Sequence, residues 1–188
     1  PTDAAFLQKI RSVPGIKAVT ARIAFGGMVN ANDTSTAAML SAIDPQNETA
    51  VCPRRLDMIS SGKTIQAGGP MAVVMTPELA GSLGLQVGKQ ATILTNDRDG
   101  VMNALDVDYV GVYGQPGLPM PDKKFGFVPL PFAQDLLRMP DRARTTRDVD
   151  LTWQVQEDEL LERLIEVTIE DLGDFFSFRV ERTTADPD

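Results

Sequence analysis

A run of acidic side chains near the middle of the chain has the residue types of a calcium-binding loop. Thr95, Asp97 and Asp99 stand at alternate positions, Gly100 follows, and Asp106 falls where the twelfth loop residue would lie. The pattern departs from an EF-hand at its first ligand, a threonine, and at its last, where the usual ligand is a bidentate glutamate. Strand-like apolar runs flank it instead of helices. We therefore predict a solvated turn at the tip of a β-hairpin.

A second candidate is the pair Ser60 and Lys63, which has the spacing of a serine nucleophile and a lysine base. The S-D-N and K-T-G motifs that accompany this pair in acyl-enzyme hydrolases are missing from the sequence. The same segment ends like a phosphate-binding loop, but Asp57 stands where the first glycine is required. A serine hydrolase using Ser60 and Lys63 is kept as an alternative, and a structural turn is preferred.

The third candidate is a carboxylate pair, Asp106 and Asp108, which could act as acid and base. Residues two apart on a strand share a face, so these side chains would lie together. Val107 and Tyr109 alternate with them. This alternation favours a solvated outer face that carries the carboxylates and an apolar inner face.

The composition excludes several classes of function. The chain has no histidine and one cysteine, Cys52, so His-dependent catalysis is excluded and a thiol nucleophile would lack an imidazole partner. A net charge of −8 repels nucleic-acid phosphates, which excludes nucleic acid as a partner. We predict a domain that is not an enzyme, with no catalytic, cofactor-binding or metal-binding residues. Because the chain begins at Pro1 without a methionine, we expect it to be a piece of a larger protein. It has no apolar run of about 20 residues, the length that a membrane-spanning helix needs.

Apolar periodicity and turn residues predict an alternation of short helices and strands. Asp44–Asn47 is predicted to break a strand, and Thr76 to cap a helix that starts at Pro77. Residues 138–148 are predicted to be a polar linker. The predicted helices cover 4–13, 77–83, 131–137 and 156–172, and one or two helical turns are predicted over 54–61. The predicted strands cover 16–29, 34–43, 71–75, 90–95, 105–112, 125–130, 149–155 and 175–182.

The order of these elements predicts an α+β fold. The two ends of the chain contribute helix-strand-strand and strand-helix-strand units, while the middle contributes short strands and two short helices. We predict that residues 1–45 and 146–188 form one α/β subdomain. Residues 46–145 would then be a smaller, β-rich subdomain inserted into it.

Five segments in a shared order resemble a known family. They are VPGIKAVTARIAFGG, MLSAIDPQNE, VVMTPELAGSLGLQVGKQATIL, DGVMNALDVDYVGVYGQPG and FVPLPFAQDLLRMP. Together they resemble the extracytoplasmic domain of FtsX-like ABC transporter permeases, the lipoprotein-release and macrolide-exporter family. The resemblance covers roughly residues 13–155.

The resemblance implies a periplasmic domain of a bacterial inner-membrane permease with four transmembrane helices. Such permeases act as dimers with a cytoplasmic ATPase, and the domain does no chemistry itself. It implies that the part built from both chain ends is like the porter modules of efflux pumps. It also implies coupling of ATP hydrolysis to export or release of a lipid-linked or amphipathic substrate, with contact to that substrate or to a periplasmic carrier or adaptor. A free-standing periplasmic binding module remains an alternative.

Lipoprotein-release permeases carry a carrier-recruiting hook at the position that Thr95–Asp106 occupies in this sequence. The segment is short and acidic and lacks the prolines and paired arginines of the hook, so recruitment of the same carrier is not expected. Arg98 and Met102 are the predicted partner-contact residues at the tip. Leu118 and Met120, in the proline-rich loop that comes after β-strand-like residues 105–112, are predicted contacts as well.

Overall fold

The computed structural model describes residues 4–66, 69, 71–114, 124–138, 148–153, 158–162 and 164. Within them the chain is a mixed α/β fold dominated by one eight-stranded sheet. Residues 158–162 are helical. In chain order the other elements are α1 (Ala4–Ser12), β1 (Ile16–Ala31), β2 (Thr34–Ile43), α2 (Pro45–Val51), α3 (Pro53–Asp57), β3 (Ile59–Gly62), β4 (Ala72–Met75), α4 (Pro77–Ser82), β5 (Gln90–Asn96), β6 (Met102–Tyr113), β7 (Phe125–Pro129), α5 (Leu130–Leu136) and β8 (Asp148–Trp153).

Six of the strands close into a ring. Starting from β1, each strand pairs with the next through β2, β7, β4, β6 and β5, and β5 pairs back onto β1. β1 is long enough to pair with two further strands. Its first half pairs with β8, and Met28–Asn30 pair with β5, which closes the ring. β3 adds to the end of β6 outside the ring. A closed ring leaves its member strands without a free edge.

The main hydrophobic core lies inside this ring. Val29, Leu40, Ile93 and Val107 point inward from four different strands and are almost fully buried. Each buried side chain of this size contributes roughly 1.5–3 kcal/mol relative to exposure. Tyr109 lies in the same cluster, and its burial raises the pKa of the phenol. Helices α4 and α5 complete the core with Leu79, Ala80, Leu130, Phe132, Ala133 and Leu136.

The β1–β2 hairpin confirms the two strands predicted over 16–29 and 34–43, and the chain reverses between them. Asn32 and Asp33 both have positive φ angles, 48° and 60°, as a two-residue hairpin turn of this hand requires. The Asn32 amide also donates hydrogen bonds to the carbonyl oxygens of Leu83 and Gly84, at 3.3 and 3.0 Å. The turn therefore caps the end of α4 as well as reversing the chain.

One of two predictions for residues 44–62 was wrong. Asp44–Asn47 end a strand as predicted, since β2 ends at Ile43, and they also start α2, which was not predicted. The Asp44 carboxylate accepts a hydrogen bond from Gln46 N at 3.0 Å, and Pro45 takes the first helical position. The helix predicted over 54–61 ends at Asp57, and Ile59–Gly62 is a strand. Gly62 has a φ of 81°, and a Cβ there would lie 2.3 Å from Val110 O. Close approach to β6 therefore requires this glycine.

The predicted cap at Thr76 is also wrong in its detail. Thr76 precedes α4, but its side chain makes no capping hydrogen bond. Its hydroxyl instead donates to Phe125 O at 3.2 Å and accepts from Phe125 N at 3.3 Å. Thr76 thus joins the start of α4 to β7.

The predicted division at residues 45/46 and 145/146 stays a prediction. Across the first boundary, β2 and β7 are joined by five residue pairs from Met39 to Ile43.

The predicted helix over 156–172 is described only at 158–162 and 164, where Leu160 and Leu164 are buried. The predicted strand over 175–182 and most of the linker over 138–148 lie outside the described residues. Among the described helices, none is long and apolar enough to cross a membrane.

Candidate interaction surface

The tip between β5 and β6 is organised around a buried carboxylate. The side chain of Asp97 is 1% exposed. Its Oδ1 accepts hydrogen bonds from the backbone N–H groups of Asp99 and Val101, both at 2.9 Å. The Asp97 N–H in turn donates to Val101 O at 2.8 Å. Because Asp97 Oδ1 is engaged by the turn itself, the tip is a compact turn, and the described residues contain no cluster of acids arranged to hold a metal ion.

Helix α5 holds this tip from the side. The N–H of Arg98 donates to Leu137 O at 3.4 Å, and the Asn103 side-chain amide donates to Leu136 O at 2.8 Å. Arg138 Nη1 lies 3.6 Å from Asp97 Oδ2. The Arg98 N–H and the Asn103 amide thus bond to carbonyls at the end of α5 that have no partner within the helix. Since α5 packs into the main core, the tip is fixed relative to that core.

The structure places the predicted contact residues as follows. Met102 is 69% exposed. The Arg98 side chain is half exposed, and its Nε lies 3.4 Å from Asp99 Oδ1. The sequence reasoning missed Val101, which is 51% exposed beside Met102. Leu118 and Met120 lie outside the described residues, so their predicted role stays a prediction.

The outer surface of the sheet next to the tip is mostly apolar, and Asn96 on β5, opposite Met102 on β6, is its polar member. Met28 on β1 lies opposite Ala37 on β2 and opposite Leu94 on β5, and Leu94 lies opposite Ala104 on β6. A second row begins at Met39, which faces Gly26 on β1. We name these outward residues the methionine face: Gly26, Met28, Ala37, Met39, Leu94, Met102 and Ala104.

This face is open to solvent. Met28 is 40% and Met39 is 46% exposed, and Leu94 is partly exposed. Single exposed apolar residues are ordinary on a protein surface, but a contiguous apolar patch marks an interaction site. No sequence motif identifies the patch, because its members come from four strands and meet only through the lateral register. The apolar residues at alternate positions in IAFGGMV and TSTAAML were the one available hint.

The carboxylate pair borders the methionine face. Asp106 and Asp108 follow Ala104 at the next two outward positions of β6, while Val107 and Tyr109 are buried, each 1% exposed. The predicted outer and inner faces are therefore confirmed. Thr92 Oγ1 donates to Asp106 Oδ1 at 2.7 Å, and Gln90 Nε2 donates to Asp108 Oδ1 at 3.0 Å.

The structure does not join Ser60 and Lys63 into a nucleophile and base. Ser60 lies in β3, Lys63 follows that strand, and both residues are exposed. No hydrogen bond connects the two side chains. In an extended chain, residues three apart point to opposite sides, whereas on a helix they share a face. The sequence spacing brings the side chains together only if this segment is helical.

A buried ion cluster was missed by the sequence reasoning. Glu48 on α2 is fully buried, and its two oxygens accept hydrogen bonds from Arg22 Nε and Nη2 at 3.1 and 2.8 Å. Arg55 Nη1 lies 2.8 Å from Glu48 Oε1, and the Arg55 guanidinium carbon is 5.4 Å from the centre of the Phe127 ring. Cys52 Sγ accepts a hydrogen bond from Arg22 Nη2 at 3.2 Å. The cluster ties α2 and α3 to the sheet.

Sequence comparisons give no match: no protein-family profile and no curated protein matches the chain. Solved structures do match. The extracellular domain of the noncanonic ABC-type transporter YknZ from Gram-positive bacteria is 14% identical, with a TM-score of 0.64, and the match covers 88% of this chain and 79% of that one. The periplasmic region of MacB from Actinobacillus actinomycetemcomitans is 13% identical, with a TM-score of 0.59 and coverage of 89% and 72%.

A domain of a putative permease protein from Porphyromonas gingivalis is 16% identical, with a TM-score of 0.56, covering 89% of this chain and 75% of that one. At sequence identities of 13–16%, the similarity to these three structures shows a shared fold. The resemblance found in the sequence is confirmed at that level: the chain has the fold of extracytoplasmic domains of ABC transporter permeases.

Proposed function

We propose that this chain is the extracytoplasmic domain of a bacterial ABC transporter permease of the FtsX-like family. The observation that carries the proposal is the match of fold over 88–89% of the chain to three solved structures, two of extracytoplasmic transporter domains and one of a permease domain. The domain would work outside the cytoplasm, beside the membrane and as part of a dimeric permease served by a cytoplasmic ATPase. A role in lipoprotein release, or in export of another amphipathic substrate, is the finer form of the proposal.

In this proposal the domain transmits force and makes contacts, and it catalyses nothing. The closed ring of six strands and its packed core support this role, because a densely packed body moves as a unit when its ends are displaced. Movement of the membrane helices would therefore carry the tip and the methionine face with it. These surfaces would meet the substrate or a periplasmic carrier or adaptor.

The proposal predicts the location of the domain in the full protein. In intact cells, the complete protein should fractionate with the inner membrane. A protease added to spheroplasts should cleave a site engineered into the exposed Asp99–Gly100 turn, while a cytoplasmic marker protein stays intact. The same protein in sealed inside-out vesicles should be protected.

A free-standing periplasmic binding module would give a different result, since osmotic shock would release it with the soluble periplasmic proteins. A protein that stayed in the cytoplasm, protected in spheroplasts, would contradict the proposal. Cleavage at the engineered site in inside-out vesicles would contradict it as well.

A further inference from the structure

The methionine face is the open surface of this chain with the clearest chemistry. Met28, Met39 and Met102 are all exposed and lie on three of the four strands that build the face. Methionine side chains are flexible and polarizable, so a surface rich in them can adapt to the shape of a partner. Such a surface is suited to burying the apolar side of another molecule.

On the side of the face away from the tip, the bordering charge is negative, and at the tip the half-exposed Arg98 is paired with Asp99. The next outward positions along the strands hold Asn30, Thr92 and Asp106, followed by Gln90 and Asp108. None of these outward residues, and none of the methionine face, is a lysine or an arginine. Neither carboxylate forms an ion pair with any residue that the structure describes. A partner that covers the face would therefore be favoured by positive charge along this border.

A short helix can cover the centre of the face. The face follows the curved outer wall of the ring, and its central pair of strands, β1 and β5, presents Met28 and Leu94 side by side. Two neighbouring strands lie about 4.8 Å apart, a width that one helix of about 10 Å diameter covers. The row with Asp106 lies about 7 Å from the row with Met28, since two residues along a strand separate them. Long basic side chains at one margin of the helix can reach that distance.

We propose that the methionine face binds an amphipathic helical segment of a partner protein, with basic residues along the margin that meets Asp106 and Asp108. The inference deepens the proposed function and rests on it for the setting, in which the partner is an extracytoplasmic protein that works with the transporter. The binding itself is a property of this chain and can be measured without the transporter.

The test uses a fluorescently labelled peptide of about 18 residues, long enough to form a helix, with leucines on one face and lysines on the other. Binding to the purified 188-residue chain is followed by fluorescence anisotropy. The lysine peptide should bind. A peptide with glutamate at every lysine position should bind at least about tenfold more weakly, and added salt should weaken binding of the lysine peptide, because its charge contacts are solvent-exposed.

Variants locate the site. Replacing Met28 and Met39 together by serine should weaken binding about tenfold, since tenfold corresponds to about 1.4 kcal/mol and two large apolar contacts are lost. Changing Asp106 and Asp108 to asparagine should weaken it roughly threefold to fivefold, because exposed charge pairs are weak. Val87→Ser, which removes another exposed apolar side chain, is the matched control for the methionines. Glu78→Gln is the control for the carboxylates, and both controls should leave affinity unchanged.

Three results would overturn the inference. The face variants could bind the peptide as tightly as the unchanged chain does. Sedimentation equilibrium could show a dimer that the methionine substitutions dissociate, which would make a second copy the occupant. Uncharged phosphatidylcholine vesicles could bind through the same methionines, which would make a lipid surface the occupant. The spheroplast experiment tests the proposed function separately, so failure of the peptide to bind leaves that result unaffected.

Discussion

At the scale of single residues, the buried Glu48 is the most demanding group in the described structure. A carboxylate removed from water is costly unless charged donors compensate it. Arg22 and Arg55 supply that compensation, and their side chains are only 12% and 23% exposed. The arrangement holds α2 and α3 against β1 and depends on all three side chains.

Glu48→Gln should therefore destabilise the fold strongly. The substitution removes the negative charge and leaves two mostly buried guanidinium groups facing a neutral amide. Loss of one partner of a buried pair costs about 3–5 kcal/mol, and the partial exposure of the arginines favours the lower end. Urea denaturation of both proteins measures the difference.

Glu78→Gln is the matched control, since Glu78 is exposed in the first turn of α4. It should change the free energy of unfolding by no more than about 0.5 kcal/mol. Equal losses in the two variants would show that the cluster does not stabilise the protein beyond an ordinary surface charge.

At the scale of elements, the tip between β5 and β6 depends on one side chain. Asp97→Ala leaves the N–H groups of Asp99 and Val101 without their acceptor and should cost about 1–3 kcal/mol. Asp97→Asn keeps an oxygen acceptor at the same place and loses only the charge opposite Arg138. The asparagine variant should therefore lose less than half as much stability as the alanine variant.

Thermal unfolding compares the two variants, and amide hydrogen exchange at Asp99 and Val101 locates the change. Exchange at both amides should speed up in the alanine variant and stay slow in the asparagine variant. If asparagine proved as harmful as alanine, the ion pair with Arg138 would be the main stabilising contact of the tip, and the hydrogen bonds to Asp97 Oδ1 would be secondary.

The sequence predicted elements well where local residues determine them. The β1–β2 hairpin followed from turn residues between alternating strands, and β4 with α4 followed from an apolar run, Pro77 and Gly84. Prediction failed at β3, because Ile59–Gly62 is extended through its pairing with β6, a partner about 50 residues away. Prediction also failed for the buried ion cluster around Glu48. The spacing of residues along a helix does not show that Arg22, on β1, lies beside Glu48.

At the scale of the whole molecule, ring closure brings together residues that no local pattern relates. The parallel pairing of β2 with β7 and the contact of β5 with β1 join strands that are not neighbours in the sequence. The alternation of side chains could be predicted along each strand, but the lateral register could not. For this reason Met102 was singled out as a predicted contact residue, whereas the methionine face as a surface was not.

Closure of the ring depends on a short junction between β1 and β5, which has three residue pairs, Met28 to Asn30 with Leu94 to Thr92. The β1–β2 pairing, in contrast, has ten. The junction should therefore open at a lower free energy than the hairpin. Amide hydrogen exchange should accordingly be faster for those amides among residues 92–94 that bond to β1 than for the amides that join β1 to β2.

Two adjacent glycines allow the junction to be tested directly. A Cβ at Gly27 would lie 2.8 Å from the backbone oxygen of Leu94, so Gly27→Ala must push β5 away from β1. This clash should cost about 1–3 kcal/mol and speed up exchange at residues 92–94. A Cβ at Gly26 would lie 3.8 Å from Met39 Sδ, an ordinary contact, so Gly26→Ala should be neutral or slightly stabilising. If both variants accelerated exchange equally, close packing at Gly27 would not be what holds the ring closed.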